Sequence, residues 1–183
     1  MSRIIVFCGP PLSGKSTLAA LYGAETGVPV MEMDLIRQRL MPDSQQSKQD
    51  RDIAYGCMHF TAEQLLRHGI PEVALVATYT RRDIRRALIE TVAQCETQLY
   101  VLQFRVSVEA AAKRFAARAT GHAAVDLTAQ SVRAQAADYP YDDAAPILDT
   151  TGPSIADTLS MVAQSLDLNN SLQALDRWVK LAS

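Results

Sequence analysis

Apolar residues along this chain fall into two alternating rhythms. Five short runs are apolar or nearly so: Arg3 to Cys8, Pro29 to Met33, Glu72 to Ala77, Leu99 to Arg105, and Pro146 to Asp149. Between them, apolar positions recur at helical spacing near residues 15–25, 34–40, 49–68, 81–95, 107–119, 128–137 and 154–166. A parallel strand buried on both faces needs a continuous apolar run rather than alternation, and Ile4 to Phe7 and Val73 to Ala77 meet that test. Strands that alternate with helices predict an α/β fold of three layers, with about five strands in a parallel sheet and helices on both faces.

The interruptions of this pattern are informative. Residues 41–52, MPDSQQSKQDRD, form a polar loop that leads into a long helix. Residues 119–130, ATGHAAVDLTAQ, follow a basic helix and have the small and polar composition of a mobile flap. After Leu166 comes a turn-rich link, then Ser171 as a helix N-cap and Leu172, Leu175, Val179 and Ala182 at helical spacing. Their apolar face must pack on its own domain or on a partner. The expected organisation is one domain over residues 1–168 with a lid near 113–130, and a terminal helix over 169–183 packed on it.

Composition narrows the function classes without choosing one. The 183 residues are 48% hydrophobic and 21% charged, with 18 basic and 20 acidic side chains and a net charge of -2. That balance excludes disorder, and 8 Gly and 8 Pro are too few for a collagen-like or low-complexity chain. The net charge argues against a protein held on nucleic acid by bulk charge. Cys8, Cys57 and Cys95 are widely spaced, without a Cys-x-x-Cys pair or histidines at zinc-ligand spacing. They read as buried thiols of a reducing compartment. The apolar run at the start ends at Gly9, short of a signal-peptide core or a membrane helix, so the expectation is a soluble cytoplasmic protein. His59, His68 and His122 are scattered and read as structural or surface residues.

The sharpest signal is Gly9-Pro10-Pro11-Leu12-Ser13-Gly14-Lys15-Ser16, followed by Thr17. It satisfies G-x-x-x-x-G-K-[ST] between a strand and a helix, the context that confirms such a loop. Backbone N–H groups at a helix N-terminus wrap a phosphate there. Gly14 allows close backbone approach, Lys15 brings a point charge to the β- and γ-phosphates, and the Ser16 hydroxyl is the candidate Mg²⁺ ligand. Pro10 and Pro11 stand in the half of the loop from which fewer donors are needed. The pattern arises by accident roughly once in a hundred chains of this length. Leu12 departs mildly, since many such loops carry a small residue there.

Three further groups bear on what the loop serves. Asp34 and Arg37 follow the second apolar run at i and i+3, on one face if a helix begins there. Ligands of open parallel sheets collect beyond the carboxyl ends of strands, so Asp34 faces the phosphate site. There it either orients or deprotonates an acceptor hydroxyl, or serves as a helix N-cap with Arg37 as its ion-pair partner. Ser107 looks like an N-cap for a helix carrying Lys113, Arg114 and Arg118, with the last two one turn apart. These are arginines closing over a γ-phosphate, or a solvated basic face. Arg81, Arg82, Arg85 and Arg86 bind an anionic acceptor or solvate a helix.

Together these features resemble the small P-loop kinases related to polynucleotide kinase, zeta toxin and chloramphenicol phosphotransferase. The resemblance spans most of residues 3–166 and rests on GPPLSGKST at 9–17, DLIR at 34–37, ATYTRRDIRRAL at 77–88, KRFAAR at 113–118 and ILDTTG at 147–152. It implies the sheet order 2-3-1-4-5, ATP and Mg²⁺ as cofactors, and a hydroxyl acceptor. It also implies Asp34 as the acceptor-activating base, Arg37 holding the acceptor, Arg114 and Arg118 as lid arginines, and residues 149–152 near the adenine. The family often carries an aspartate at the end of the third strand that helps hold Mg²⁺. This chain has Val76 there, and Glu72 lies about 13 Å away at the other end of the strand. Either Ser16, Asp34 and waters suffice for the metal or catalysis is weakened, with the Thr78 hydroxyl as a further donor at this place.

The leading expectation is therefore transfer of the γ-phosphate of ATP to a hydroxyl of a small molecule or a nucleic-acid 5′ end, by a monomer or homodimer with no membrane partner. A nucleoside monophosphate kinase and a non-catalytic nucleotide-binding regulator are the alternatives.

Overall fold

The computed structural model describes residues 2–45, 47–117, 127–143, 145–167 and 178. Five strands form one parallel sheet: β1 (Arg3–Cys8), β2 (Val30–Glu32), β3 (Glu72–Ala77), β4 (Gln98–Arg105) and β5 (Ile147–Asp149). Their spatial order is β2-β3-β1-β4-β5. The helices are α1 (Lys15–Thr26), α2 (Met33–Leu40), α3 (Lys48–Arg67), α4 (Arg82–Gln94), α5 (Val108–Ala117), α6 (Ala129–Ala137) and α7 (Ile155–Asp167). Among the described residues, no helix is long and apolar enough to cross a membrane.

The continuous apolar runs are explained by burial on both faces. Side chains alternate along each strand. Ile4, Val6, Val73, Leu75, Leu99 and Val101 face α3 and α4, packing with Met58 and Leu88. Ile5, Phe7, Ala74, Val76, Leu102 and Phe104 face the opposite layer, where Leu18 and Tyr22 of α1 meet Val162 and Leu166 of α7. The three expected layers follow directly. Trp178 joins the first layer and is fully buried. The rest of the expected terminal helix, like residues 118–126 of the expected lid, lies outside the described residues.

The connections explain where the helices begin. α3 starts at a capping box in which the Ser47 hydroxyl accepts from the Asp50 N–H and the Asp50 carboxylate accepts from the Ser47 N–H. Thr128 and Ser131 form the corresponding box for α6. At α5, the Ser107 hydroxyl accepts from the Ala110 N–H at 3.1 Å, as its sequence position predicts. α5 and α6 pack through a small separate cluster of Val106, Ala111, Val132 and Ala136. The cysteines differ in part from expectation: all three are free thiols, but only Cys8 is fully buried, because Cys57 and Cys95 sit on helical turns at the edge of the first layer.

A candidate nucleotide and acceptor cleft

The order of the sheet places β1 at its centre, so the loop leaving β1 opens in the middle of the carboxyl edge, where ligands of such sheets collect. Two glycines make the loop possible. A Cβ on Gly9 would stand 2.5 Å from the Phe104 carbonyl oxygen, and Gly14 takes φ +83°, in the left-handed region, to cap α1. Leu12 also has positive φ, at 64°. Its side chain packs against the α5–α6 cluster, so the large residue that departs from the usual pattern anchors the phosphate loop to these two helices.

The loop is tied down by its neighbours. The Thr150 hydroxyl, just past β5, lies 2.9 Å from the Ser13 carbonyl oxygen and 3.0 Å from that of Arg105. Arg114 donates to the Leu12 carbonyl at 2.9 Å and to the Thr150 hydroxyl at 3.2 Å. Arg114 is thus fixed against the loop backbone, while Arg118 lies outside the described residues. Lys15 is buried and its ammonium donates to the Pro10 carbonyl at 3.3 Å. Burial lowers its pKa, opposed by the carboxylates of Asp34 and Glu32. The Ser13 hydroxyl is fully buried inside this cradle and has no hydrogen-bond partner among the described residues. A buried cation, an unmatched hydroxyl and a glycine-shaped cradle fit a phosphate.

Glu32 is the residue that sequence reasoning missed. At the end of β2, it accepts a hydrogen bond from the Ser16 hydroxyl at 2.7 Å. Its register mate on β3 is Val76, the position where an aspartate was expected. Asp34 stands in the first turn of α2, two residues on. It is not the N-cap, since Glu32 holds that position without a side-chain capping bond. Its Oδ1 lies 3.8 Å from Nε of the buried Arg37. Ser16, Glu32 and Asp34 make a hard-oxygen set. It suits Mg²⁺, which typically takes one or two carboxylates and leaves other positions to phosphate and water. No group of three or more His, Cys, Asp or Glu side chains converges among the described residues.

A cleft of about 460 Å³ runs through these residues, and the loop divides its lining. On the β5 side stand Leu127, Gln135, Thr150, Pro153, Ile155 and Thr158; on the β3 side stand Asp34, Arg51, Tyr55, Thr78, Thr80 and Arg81. The basic run at 81–86 therefore divides. Arg81 lines the cleft, its guanidinium paired with Asp52 and Asp83. Arg82 and Arg86 are exposed, and Arg85 is fully buried, donating to the carbonyls of Tyr79 and Trp178. Lys113 is exposed. His59 is buried against Tyr79 and His68 is exposed, whereas His122 lies outside the described residues.

The family described as an AAA domain (AAA_33) matches residues 4–140, which span the loop, both carboxylates and the arginine groups. The chain belongs to this family. Its fold is shared with solved structures of low sequence identity. A sugar kinase from Janibacter is 18% identical, with a TM-score of 0.68 over 100% of this chain and 99% of that one. The Mycobacterium tuberculosis APS kinase, solved with AMPPNP and APS, is 21% identical, with a TM-score of 0.65 over 91% and 98%. A gluconokinase from Sinorhizobium meliloti is 18% identical, with a TM-score of 0.61 over 92% and 97%. In this AAA-domain chain, as in these structures, the fold extends well beyond the phosphate loop, since each likeness covers more than nine-tenths of both chains.

Proposed function

We propose that this AAA-domain protein is an ATP- and Mg²⁺-dependent kinase that phosphorylates a hydroxyl of a small molecule. The observation that carries this reading is that the loop lysine, the Ser16–Glu32 pair and Asp34 line one cleft together with the polar side chains of Thr78, Thr80 and Arg81. The structural neighbours that are a sugar kinase, a gluconokinase and an APS kinase support it. So do the motifs that resemble the polynucleotide kinase, zeta toxin and chloramphenicol phosphotransferase group.

Ser16, Glu32 and Asp34 are the residues that would hold Mg²⁺. A metal held there would supply positive charge to offset that of the phosphate oxygens. The loop N–H groups and Lys15 bind the triphosphate, with the Ser13 hydroxyl as an added donor. Arg114, fixed to Leu12 and Thr150, braces the wall of the nucleotide half, and Arg118 is proposed to close over the phosphates from the lid. Asp34 accepts the proton of the acceptor hydroxyl while Arg37 holds its carboxylate in place. The acceptor oxygen forms its bond to the γ-phosphorus as the bond to the β,γ-bridging oxygen breaks, and ADP departs.

The test is phosphoryl transfer from ATP across a broad panel of hydroxyl acceptors, with Lys15→Ala as the control. Transfer that Lys15→Ala abolishes is expected. ATP binding without transfer to any acceptor, and with no difference in Lys15→Ala, would overturn the reading in favour of a nucleotide-binding regulator. Rapid phosphorylation of AMP, CMP or UMP would favour a nucleoside monophosphate kinase.

A further inference from the structure

The turn after β3 carries strain at a buried residue. Thr78 and Thr80 line the cleft, while Tyr79 between them is fully buried and takes φ +51°, uncommon for an aromatic residue. A residue in that region stays there only where its surroundings hold it. Here the backbone is held from behind the cleft. The Tyr139 hydroxyl donates to the Thr78 carbonyl at 2.5 Å, and Arg85 Nε donates to the Tyr79 carbonyl at 2.6 Å. The Tyr79 N–H donates to the Tyr55 hydroxyl oxygen at 3.3 Å.

The Tyr79 ring is enclosed as well. It meets Tyr55 edge-on with centroids 5.4 Å apart, lies nearly parallel to His59 at 6.0 Å, and meets the Trp178 ring at 5.8 Å. Its hydroxyl oxygen is 3.1 Å from His59 Nε2. Tyr55 and His59 belong to α3, whereas Trp178 comes from the C-terminal segment. Trp178 also completes the surroundings of Arg85. That guanidinium is fully buried, donates to the Trp178 carbonyl, and places its carbon 4.7 Å from the indole centroid. A buried cation needs compensation, and a tryptophan face is the aromatic surface that attracts one best. The indole N–H has no hydrogen-bond partner among the described residues, so the contribution of this side chain is its ring.

Two routes therefore lead from Trp178 to the same turn, one through the Tyr79 ring and one through Arg85 to the Tyr79 carbonyl. We propose, resting on the kinase reading, that Trp178 is a positioning residue for the acceptor, holding by these two routes the turn that presents Thr78 and Thr80 to the cleft. Trp178 itself does not line the cleft, so it acts only through the turn.

Trp178 is the only tryptophan of the chain, so intrinsic fluorescence reads this residue alone. Its emission is expected to be blue-shifted and protected from acrylamide, and a readily quenched tryptophan would overturn the proposal. Two substitutions in the full chain then separate ring from bulk. Trp178→Leu keeps an apolar side chain and removes the aromatic face, whereas Trp178→Phe keeps one. Hydrogen exchange read by mass spectrometry is expected to quicken about 10- to 100-fold at amides 78–81 in Trp178→Leu, to stay near wild type in Trp178→Phe, and to be unchanged in β1. Unchanged exchange at the turn in Trp178→Leu overturns the proposal, as does a Trp178→Phe as fast as Trp178→Leu. So does equal acceleration through β1, which would make Trp178 an ordinary core residue. In phosphoryl transfer to the best hydroxyl acceptor of the panel, Trp178→Leu should raise the acceptor KM about tenfold, with kcat and nucleotide affinity near wild type. A loosened turn with an unchanged acceptor KM overturns the positioning role. Absence of transfer to any acceptor removes the kinase reading and the acceptor role with it, while the exchange result separately decides whether Trp178 holds the turn.

Discussion

The Ser16 hydroxyl donates to the Glu32 carboxylate at 2.7 Å, and Glu32 is the register mate of Val76. Register mates on neighbouring strands project to the same side of the sheet, so the carboxylate missing from β3 is present one strand outward. The offset is about 4.8 Å, and the extra methylene of glutamate helps to span it. Glu32→Gln is therefore expected to weaken the Mg²⁺ dependence of nucleotide binding by about 10- to 100-fold, the range for residues that hold a metal directly or through water. Affinity for nucleotide without Mg²⁺ should change little. Titration of a fluorescent ATP analogue with and without Mg²⁺ measures both, and an unchanged Mg²⁺ response would reduce Glu32 to a partner of the Ser16 hydroxyl.

Asp34→Asn keeps the shape of the side chain and removes its capacity to take a proton. Turnover is expected to fall by about 10²- to 10⁴-fold, the contribution of a positioned base. Nucleotide affinity without Mg²⁺ should persist, because Asp34 stands in the first turn of α2 rather than in the loop. Steady-state kinetics together with a binding titration separate the two effects. Unchanged turnover would leave Asp34 only its ion pair with Arg37.

Much of this architecture is legible in the residues. The apolar runs and helical spacings lie close to the observed elements because the three central strands β1, β3 and β4 are buried on both faces and the helices on one. The strand order is different in kind: it came from the family resemblance, since periodicity carries no information on which strands are neighbours. That same lateral information explains why Glu32 was missed. It stands in a three-residue strand and looks like an ordinary polar end, and only pairing with β3 sets it opposite Val76. A signal was present in Glu32-Met33-Asp34, two carboxylates two residues apart at the carboxyl end of a strand. The basic run at 81–86 also held readable information. Arg85 lies beside Ile84 and three residues before Leu88, on the buried side of α4, whereas Arg82 and Arg86 lie on its outer side.

His59 predicts how the fold responds to acid. Burial pushes its imidazole down to about 4, from about 6.5 in the unfolded chain. Between these values the unfolded chain binds more protons than the folded one. The contribution is thus fully present above pH 6.5 and is lost as pH falls towards 4, by up to about 3 kcal/mol. Asp52 and Asp83, whose carboxylates are held low by Arg81, act below this window. Urea denaturation at neutral pH and near pH 4.5 should show the loss, and His59→Gln should flatten it. A wild-type stability that is level across this range would contradict the burial of a neutral imidazole against Tyr79.

Arg85 joins three parts of the molecule. It donates to the carbonyls of Tyr79 and Pro140 and to that of Trp178, and its guanidinium carbon lies 4.7 Å from the Trp178 ring centroid. Arg85→Met keeps the length of the stem but leaves the Tyr79 and Trp178 carbonyls buried without their donor. The expected loss is about 2–4 kcal/mol. Arg85→Lys should recover part of it, since one ammonium can serve some of these carbonyls but lacks the planar fork that serves them together. The second consequence is functional. Release of the Tyr79 carbonyl frees the strained turn that carries Thr78 and Thr80, so the KM for acceptor should rise in the folded fraction while nucleotide affinity holds. Denaturation curves and kinetics on the same preparations test both parts. A stability loss with an unchanged acceptor KM would make Arg85 a staple for the C-terminal segment alone.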